Sequence, residues 1–379
     1  MSLIKYSVLV NLLLLILSTF ISIEFFSMIA SELDLLVFSE RPTYTYKSRG
    51  VNWRNERELW GAWHKPNYTD RHKTSCFDVK YISNNVGARD DVDYTISLPG
   101  NAIALIGDSF AEGWGVKSDD TFAKIIEKKT NRKVLNFGVS GTFGPVQEYL
   151  IYKNLVKFFP HNELIYFFLP SNDFDDNAPE SILVYKKRYR PYYRKISDLQ
   201  YDIFYPTLPP KHNSYPSTVT SKPLLLFFKE ALLGYTYSAN TLLTLRSVLN
   251  PNSLGEFGSR KGSENAYSYF SNDIEKVLGA IFFIQKLFNE ASHVKKKTII
   301  IIPRATDLEY IAKGRRYKHL DWYLMLKKLA GEFDAEFIDL AGQVDLKDFQ
   351  SLFMTCDRHW SPRGNQFAAA QFIRVAQKK

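Results

Sequence analysis

The sequence predicts a three-layer α/β/α sandwich on a parallel sheet, preceded by one membrane-spanning helix. Three observations carry this expectation. Short continuous apolar runs, such as Ala102-Ile-Ala-Leu-Ile106, Leu164-Ile-Tyr-Phe-Phe-Leu169 and Thr298-Ile-Ile-Ile-Ile-Pro303, lack the alternation of a half-buried strand and suit strands covered on both faces. Segments of helical spacing separate them, as crossover connections between parallel strands require. Residues Tyr6 to Ile23 are almost wholly apolar, roughly the length that crosses a bilayer core as a helix.

Taken in order, Lys5 and the terminal amine precede the apolar stretch, while Glu24, Glu32, Asp34 and Glu40 follow it. The positive-inside rule then leaves the N-terminus in the cytoplasm and the remainder outside, as a single-pass protein of a bacterial-type inner membrane facing the periplasm. A signal peptide removed on secretion is the other reading. The stretch is long for that role, and Ser27-Met-Ile-Ala30 is a poor cleavage site. Residues 1–31 are thus expected to be the anchor, and 32–100 a linker and lead-in packed on the core. Residues 101–379 are expected to form the catalytic-type domain.

Within that domain Ala102–Ile106 is the first strand, Phe122–Lys129 a helix and Val134–Phe137 the second strand. Pro145 opens a helix towards Phe158, and Leu164–Leu169 is the third strand. The alternation stops at about residues 174–263, where Tyr, Pro and basic residues mix, as in Tyr189-Arg-Pro-Tyr-Tyr-Arg194 and Tyr205-Pro-Thr-Leu-Pro-Pro210. So long an interruption reads as an inserted cap or lid, with at least one helix inside Pro223–Leu249. Its Tyr and Arg clusters suit either the lining of a groove for an anionic glycan or a partly structural cover. A helix over Asn265–Ala291, the strand Thr298–Pro303, a helix over Leu320–Phe333, a strand at Glu336–Leu340 and a last helix after Pro362 complete the series.

The 379 residues, 45% hydrophobic and 23% charged, suit a globular chain, and the net charge is +9. Zinc-ligand spacing, a basic heptad region and an aromatic RNA-binding signature are all missing, which argues against nucleic acid and for a membrane or an anionic envelope polymer. Cys76 and Cys356 are too few for a disulfide scaffold, and both pairing and free thiols stay open. Asp90, Asp91 and Asp93 lack the later ligands of a calcium loop. Gly138, Gly141 and Gly144 do not have dinucleotide-turn spacing, so neither metal nor cofactor is expected.

In an open parallel sheet, chemistry gathers beyond the carboxyl ends of the strands. Ser109 follows the first strand and Gly107, where a hydroxyl can be presented for attack; a helix cap is its plainer reading. Gly141 follows the second strand and can offer a backbone N–H, and Asn172 follows the third and can offer a side-chain amide. His359 precedes the last helix, and Asp357 is placed to fix its tautomer. An α/β-hydrolase elbow is excluded, because the position two after Ser109 is Ala111 rather than glycine.

Four segments, Ile106-Gly-Asp-Ser-Phe110, Asn136-Phe-Gly-Val-Ser-Gly141, Leu169-Pro-Ser-Asn-Asp173 and Asp357-Arg-His-Trp-Ser361, resemble in order the signature blocks of SGNH (GDSL-type) hydrolases. The resemblance implies a flavodoxin-like fold. It also implies Ser109 as nucleophile, Asp357 and His359 as its triad partners, and an oxyanion hole formed by Ser109, Gly141 and Asn172. Ser171 stands where the family has glycine, and Asp-x-His replaces the Asp-x-x-His of secreted esterases. The shorter spacing, followed by Trp-Ser-x-x-Gly, looks more like membrane-associated members linked to acetylation of envelope polysaccharides. Asn84-Asn-Val-Gly-Ala-Arg-Asp90 resembles the lead-in of such anchored members, with Ala88 in place of a larger apolar residue. The expected activity is O-acyl ester hydrolysis on an acylated carbohydrate or small ester. Acyl transfer to a polysaccharide and a catalytically silent glycan-binding module are the alternatives.

Overall fold

The computed structural model describes residues 2–33, 35, 54–73, 77–97, 100–183, 189–198, 200–207, 232, 236–249, 269–270, 273–354 and 358–377. Two compact units are present. One comprises Met1–Ser48, Lys73–Cys76 and Tyr215–Lys261; the other comprises Arg49–His72, Phe77–Ser214 and Gly262–Lys379. The first contains helix α1 (Ser2–Glu32), whose stretch Tyr6–Ser31 is long and apolar enough to cross a membrane. Length and composition of this kind are shared by anchors and signal sequences.

The second unit is organised on a five-stranded parallel sheet. Its first half runs β1 (Ile103–Gly107), α2 (Ser109–Glu112), α3 (Phe122–Thr130), β2 (Val134–Gly138), α4 (Pro145–Asn154), β3 (Glu163–Phe168) and α5 (Asp173–Asp176). The insert supplies a hairpin, Tyr192–Ser197 with Gln200–Phe204, and also helix α6 (Tyr237–Leu249), which belongs to the first unit. The sheet unit resumes with α7 (Ile274–Glu290), β4 (Lys296–Ile301), α8 (Ala305–Ala312), α9 (Asp321–Glu332), β5 (Ala335–Asp339) and α10 (Pro362–Ala376).

Spatial strand order is β5-β4-β3-β1-β2, with every pairing parallel. This is the flavodoxin-like order, in which the chain turns to opposite sides after its first strand and leaves a crevice at that switch point. Every residue of β1, β2 and β3 is buried. Because successive side chains point to opposite faces, both faces of the sheet are covered, as the unbroken apolar runs predicted. On the covering layers α3 packs with α10, and α4 packs with α7, which also meets α9.

Helix starts follow local chemistry. Thr121 Oγ1 accepts from Lys124 N at the head of α3, and Ser361 Oγ accepts from Gly364 N at α10, with Pro362 in the first turn. Asn365 Oδ1 also accepts from Phe122 N, tying the last helix to the first covering helix. Residues 54–64 and 68–83 contain two pairs of short strands, and Trp60, Trp63, Ala88 and Tyr94 join the main core.

Candidate active site

Ser109 opens α2, two residues after β1 ends at Gly107. Asp108 caps the turn, its Oδ1 accepting from Phe110 N at 2.9 Å. Gly113 N and Trp114 N both donate to Ser109 O, so the serine backbone is fixed independently of its hydroxyl. His359 Nε2 lies 2.8 Å from Ser109 Oγ, although 250 residues separate them in the chain. The histidine backbone is held by Met354 N donating to His359 O, and the neighbouring Ser361 N donates to Leu352 O. Its ring lies against Phe110 and Trp114, with centroids 5.0 and 5.7 Å away. Asp357 lies outside the described residues, as do Cys76 and Cys356.

The strands beside β1 carry the other predicted residues to the same carboxyl edge. Gly107 pairs with Gly138 of β2, and Val139 N donates to Gly107 O, so the loop holding Gly141 leaves the sheet beside Ser109. A Cβ on Gly138 would come 2.1 Å from Glu112 N, which explains glycine where the nucleophile helix crosses β2. Gly141 has φ +98° and the following Thr142 has φ +65°, two successive left-handed residues that turn the loop sharply. Asn172 follows β3, where its Nδ2 donates to Asp176 Oδ2 at 3.0 Å. An amide nitrogen carries two protons, so this bond orients the group with one and leaves the other for a further acceptor.

A residue of the insert joins the two loops. Arg190 is buried; its Nη1 donates to Thr142 Oγ1 at 2.7 Å, and its Nη2 to Thr142 O at 2.8 Å and to Gln147 Oε1 at 3.0 Å. Asp176 O accepts from the same Nη2. The tyrosines around it are interior too: Tyr192, Tyr193 and Tyr201 are buried, and Tyr193 lies over Gly279 of α7. The described part of this cluster is largely interior. Arg194 projects into solvent, paired with Asp202, and Lys195, Ile196 and Ser197 after it are exposed too.

The lead-in segment supports α2 from behind. Arg89 Nη1 donates to Glu112 O at 3.1 Å and also to Gly113 O, while its Nη2 reaches Val116 O at 2.6 Å. These bonds satisfy carbonyls at the end of α2 that have no intrahelical partner. The Arg89 guanidinium also stacks on Tyr81, 3.9 Å from the ring centroid. His64 and Glu112, both fully buried, approach to 3.5 Å, and a Glu112 carboxyl oxygen accepts a hydrogen bond from Ser140 N. The nucleophile turn, the loop after β2 and the lead-in are therefore one hydrogen-bonded assembly.

Beneath the site are buried carboxyls to which the sequence reading gives no role. Glu148 accepts from Tyr166 Oη, and Asp173 Oδ2 accepts from Leu169 N at 2.6 Å. Burial raises the pKa of both, and negative charge on their acidic neighbours raises them further. Burial also raises Asp108 to about 6, against the lowering effects of the Phe110 amide and of His359. A carboxyl raised on folding keeps its proton where the unfolded chain has released it. Its stabilising contribution is present below pH about 4 and is lost as pH rises through about 6, a difference of roughly 3 kcal/mol. Asp108→Asn retains an oxygen to cap Phe110 N but does not titrate. Urea unfolding of the full chain in mild detergent should therefore show a shallower loss of stability between pH 4 and 6; an unchanged pH profile would refute the assignment.

The sequence singles out Ser109, Gly141 and Asn172 as candidates because each sits in a short motif after a strand, and His359 because it sits in one just ahead of the last helix. It gives no role to Arg190, His64, Glu112 or Glu148, nor to Arg89 and Asp173, although these two lie in the segments Asn84–Asp90 and Leu169–Asp173. For Glu148 one signal existed, a carboxylate in the apolar stretch Pro145-Val-Gln-Glu-Tyr-Leu-Ile151. Arg190 had none, since an arginine in a Tyr-rich insert gives no hint of burial.

No family model matches the chain, and no curated protein sequence matches it. Three solved structures are similar to it, each over 73% of this chain. They are a lipolytic protein of the G-D-S-L family from Desulfitobacterium hafniense, at 11% identity, TM-score 0.34 and 99% of that chain; a member of the lipolytic G-D-S-L family from Veillonella parvula, at 12%, 0.35 and 99%; and a lipase/acylhydrolase from Enterococcus faecalis, at 11%, 0.35 and 94%. At such low similarity the chemistry of this chain is read from its own residues.

Proposed function

We propose that the chain is an extracytoplasmic serine O-acyl esterase of the SGNH type, acting on ester-linked acyl groups, acetyl above all. The observation that carries this reading is the 2.8 Å contact between Ser109 Oγ and His359 Nε2 at the switch point of the parallel sheet. His359 takes the hydroxyl proton as Oγ attacks the ester carbon. The resulting oxyanion is met by the amides of Ser109 and Gly141 and by the free N–H of Asn172, each donor worth about 3 kcal/mol. The tetrahedral species expels the alkoxide, which receives the proton from His359, and leaves an acyl group on Ser109. Asp357, two residues before His359, is assigned the role of holding the imidazole in the tautomer that leaves Nε2 free to accept.

Water then attacks the acyl-enzyme to release the acid. A sugar hydroxyl in its place would make the chain an O-acetyltransferase of an envelope polysaccharide, with the same triad. The half-buried Trp114 beside His359 favours keeping that second reading, because an aromatic face at the general base suits the apolar face of a sugar ring.

A fluorophosphonate probe on the full chain in nanodiscs should label Ser109, mapped by peptide mass. Incubation with an activated acetyl ester, with and without a glycan acceptor, should then release free acetate in both cases. Acetate recovered on the glycan instead establishes the transferase. No label at Ser109 and no acetate release would overturn both and leave a silent, anchored binding module.

A further inference from the structure

Glu24 is a carboxylate inside the apolar stretch Tyr6–Ser31 of α1. Its oxygens accept three hydrogen bonds from the start of α6: Tyr237 N to Oε1 at 2.7 Å, Ser238 N to Oε2 at 2.9 Å and Ser238 Oγ to Oε2 at 2.7 Å. The carboxylate thus supplies the partner that first-turn amides lack, and its charge suits the positive end of that helix. Ser27 and Ser31 lie on the same side of α1, three and seven residues further on, and both are buried. Facing residues Tyr237, Ser238 and Asn240 are buried as well. A stripe of small and polar residues, closed by side-chain hydrogen bonds, is how helices pair within lipid, where apolar burial alone gives no preference for a protein neighbour.

The outward side of α6 has the opposite character. Leu242 is 67% exposed and Leu245 45%, and they are spaced to share one face. On α1, which α6 packs against, Phe25 and Phe26 are also exposed. Glu24 is seven residues from Ser31, about 10 Å along a helix at 1.5 Å per residue. That depth falls within a hydrocarbon core about 30 Å thick.

We propose that α6 is a second membrane element, folded back onto the anchor in the outer part of the bilayer, with lipid covering Leu242 and Leu245. Glu24 is the lock that holds it there. The insert is then tethered at the membrane rather than held in the aqueous phase, and α1 is retained in the working protein, since its removal would take Glu24 with it. This inference is independent of the chemistry at Ser109.

The test uses the full chain in phosphatidylcholine nanodiscs, with Cys76 and Cys356 changed to serine and Leu242→Cys carrying the fluorophore NBD. Blue-shifted emission quenched by lipids with spin-labelled acyl chains is the expected result. The same label at Lys328→Cys, an exposed position of α9, serves as the aqueous reference. Emission at 242 matching that reference, without quenching, would overturn the proposal. Glu24→Ala should abolish the quenching at 242 and leave the reference unchanged; persistent quenching in that variant would overturn the role of Glu24. With the native cysteines kept, a diazirine side chain at position 242 should crosslink to phospholipid, and its failure to do so counts equally against the proposal.

Discussion

Ser109→Ala is expected to lower turnover of an activated acetyl ester by about 10,000-fold or more, with the unfolding midpoint unchanged. The large effect follows from geometry. Oγ is the atom that His359 Nε2 meets at 2.8 Å, and without it the histidine has no nucleophile to activate. The small effect on folding follows from what the variant keeps. The Asp108 cap on Phe110 N and the bonds from Gly113 N and Trp114 N to Ser109 O are all made without the hydroxyl. His359→Ala should cost about as much as Ser109→Ala, and the double variant little more, because the pair acts as a unit. Rates measured against a buffer blank, with loss of fluorophosphonate labelling as the second readout, check this. Turnover of Ser109→Ala at the level of the unchanged chain would show that the hydroxyl is not the nucleophile.

The sheet was readable because its strands are buried on both faces, which writes them as unbroken apolar runs. The strand read as Thr298–Pro303 lies within two residues of the observed one at each end, since no helix of that length would be purely β-branched at four successive positions. Helix α8 escaped: Ala305–Ala312 follows Arg304 and includes Asp307 and Glu309, so its short apolar face gives no clear period. Ser109 and His359 were legible as motif residues, while their 250-residue separation meant that only the fold could join them. Arg190, Arg89 and Glu112 were opaque for another reason. A charged residue reads as surface, and its burial becomes visible only when carbonyl oxygens from distant segments surround it.

Arg190 should matter to catalysis beyond its weight in folding. Its guanidinium holds Thr142, next to Gly141, and the carbonyl of Asp176, whose carboxylate orients Asn172. One side chain thus sets the spacing of two of the three proposed oxyanion donors. Arg190→Met keeps much of the buried volume but removes the guanidinium donors to the Thr142 and Asp176 carbonyls, each lost bond costing roughly 1–3 kcal/mol, while Gln147 Oε1 keeps the amides of Asn177 and Gly144. The loops relax to recover partners, and the donors lose their common focus. Because an oxyanion exists only in the transition state, the expected signature is kcat reduced about 100-fold with KM nearly unchanged. Arg190→Lys should restore only part of the rate, since an ammonium lacks the planar fork that reaches both loops. A purely structural role predicts something different: fewer active molecules, but full kcat for each Ser109 titrated by fluorophosphonate. Turnover normalised to titrated Ser109 therefore decides between the two, and a normal value in Arg190→Met would remove Arg190 from the positioning of the oxyanion donors.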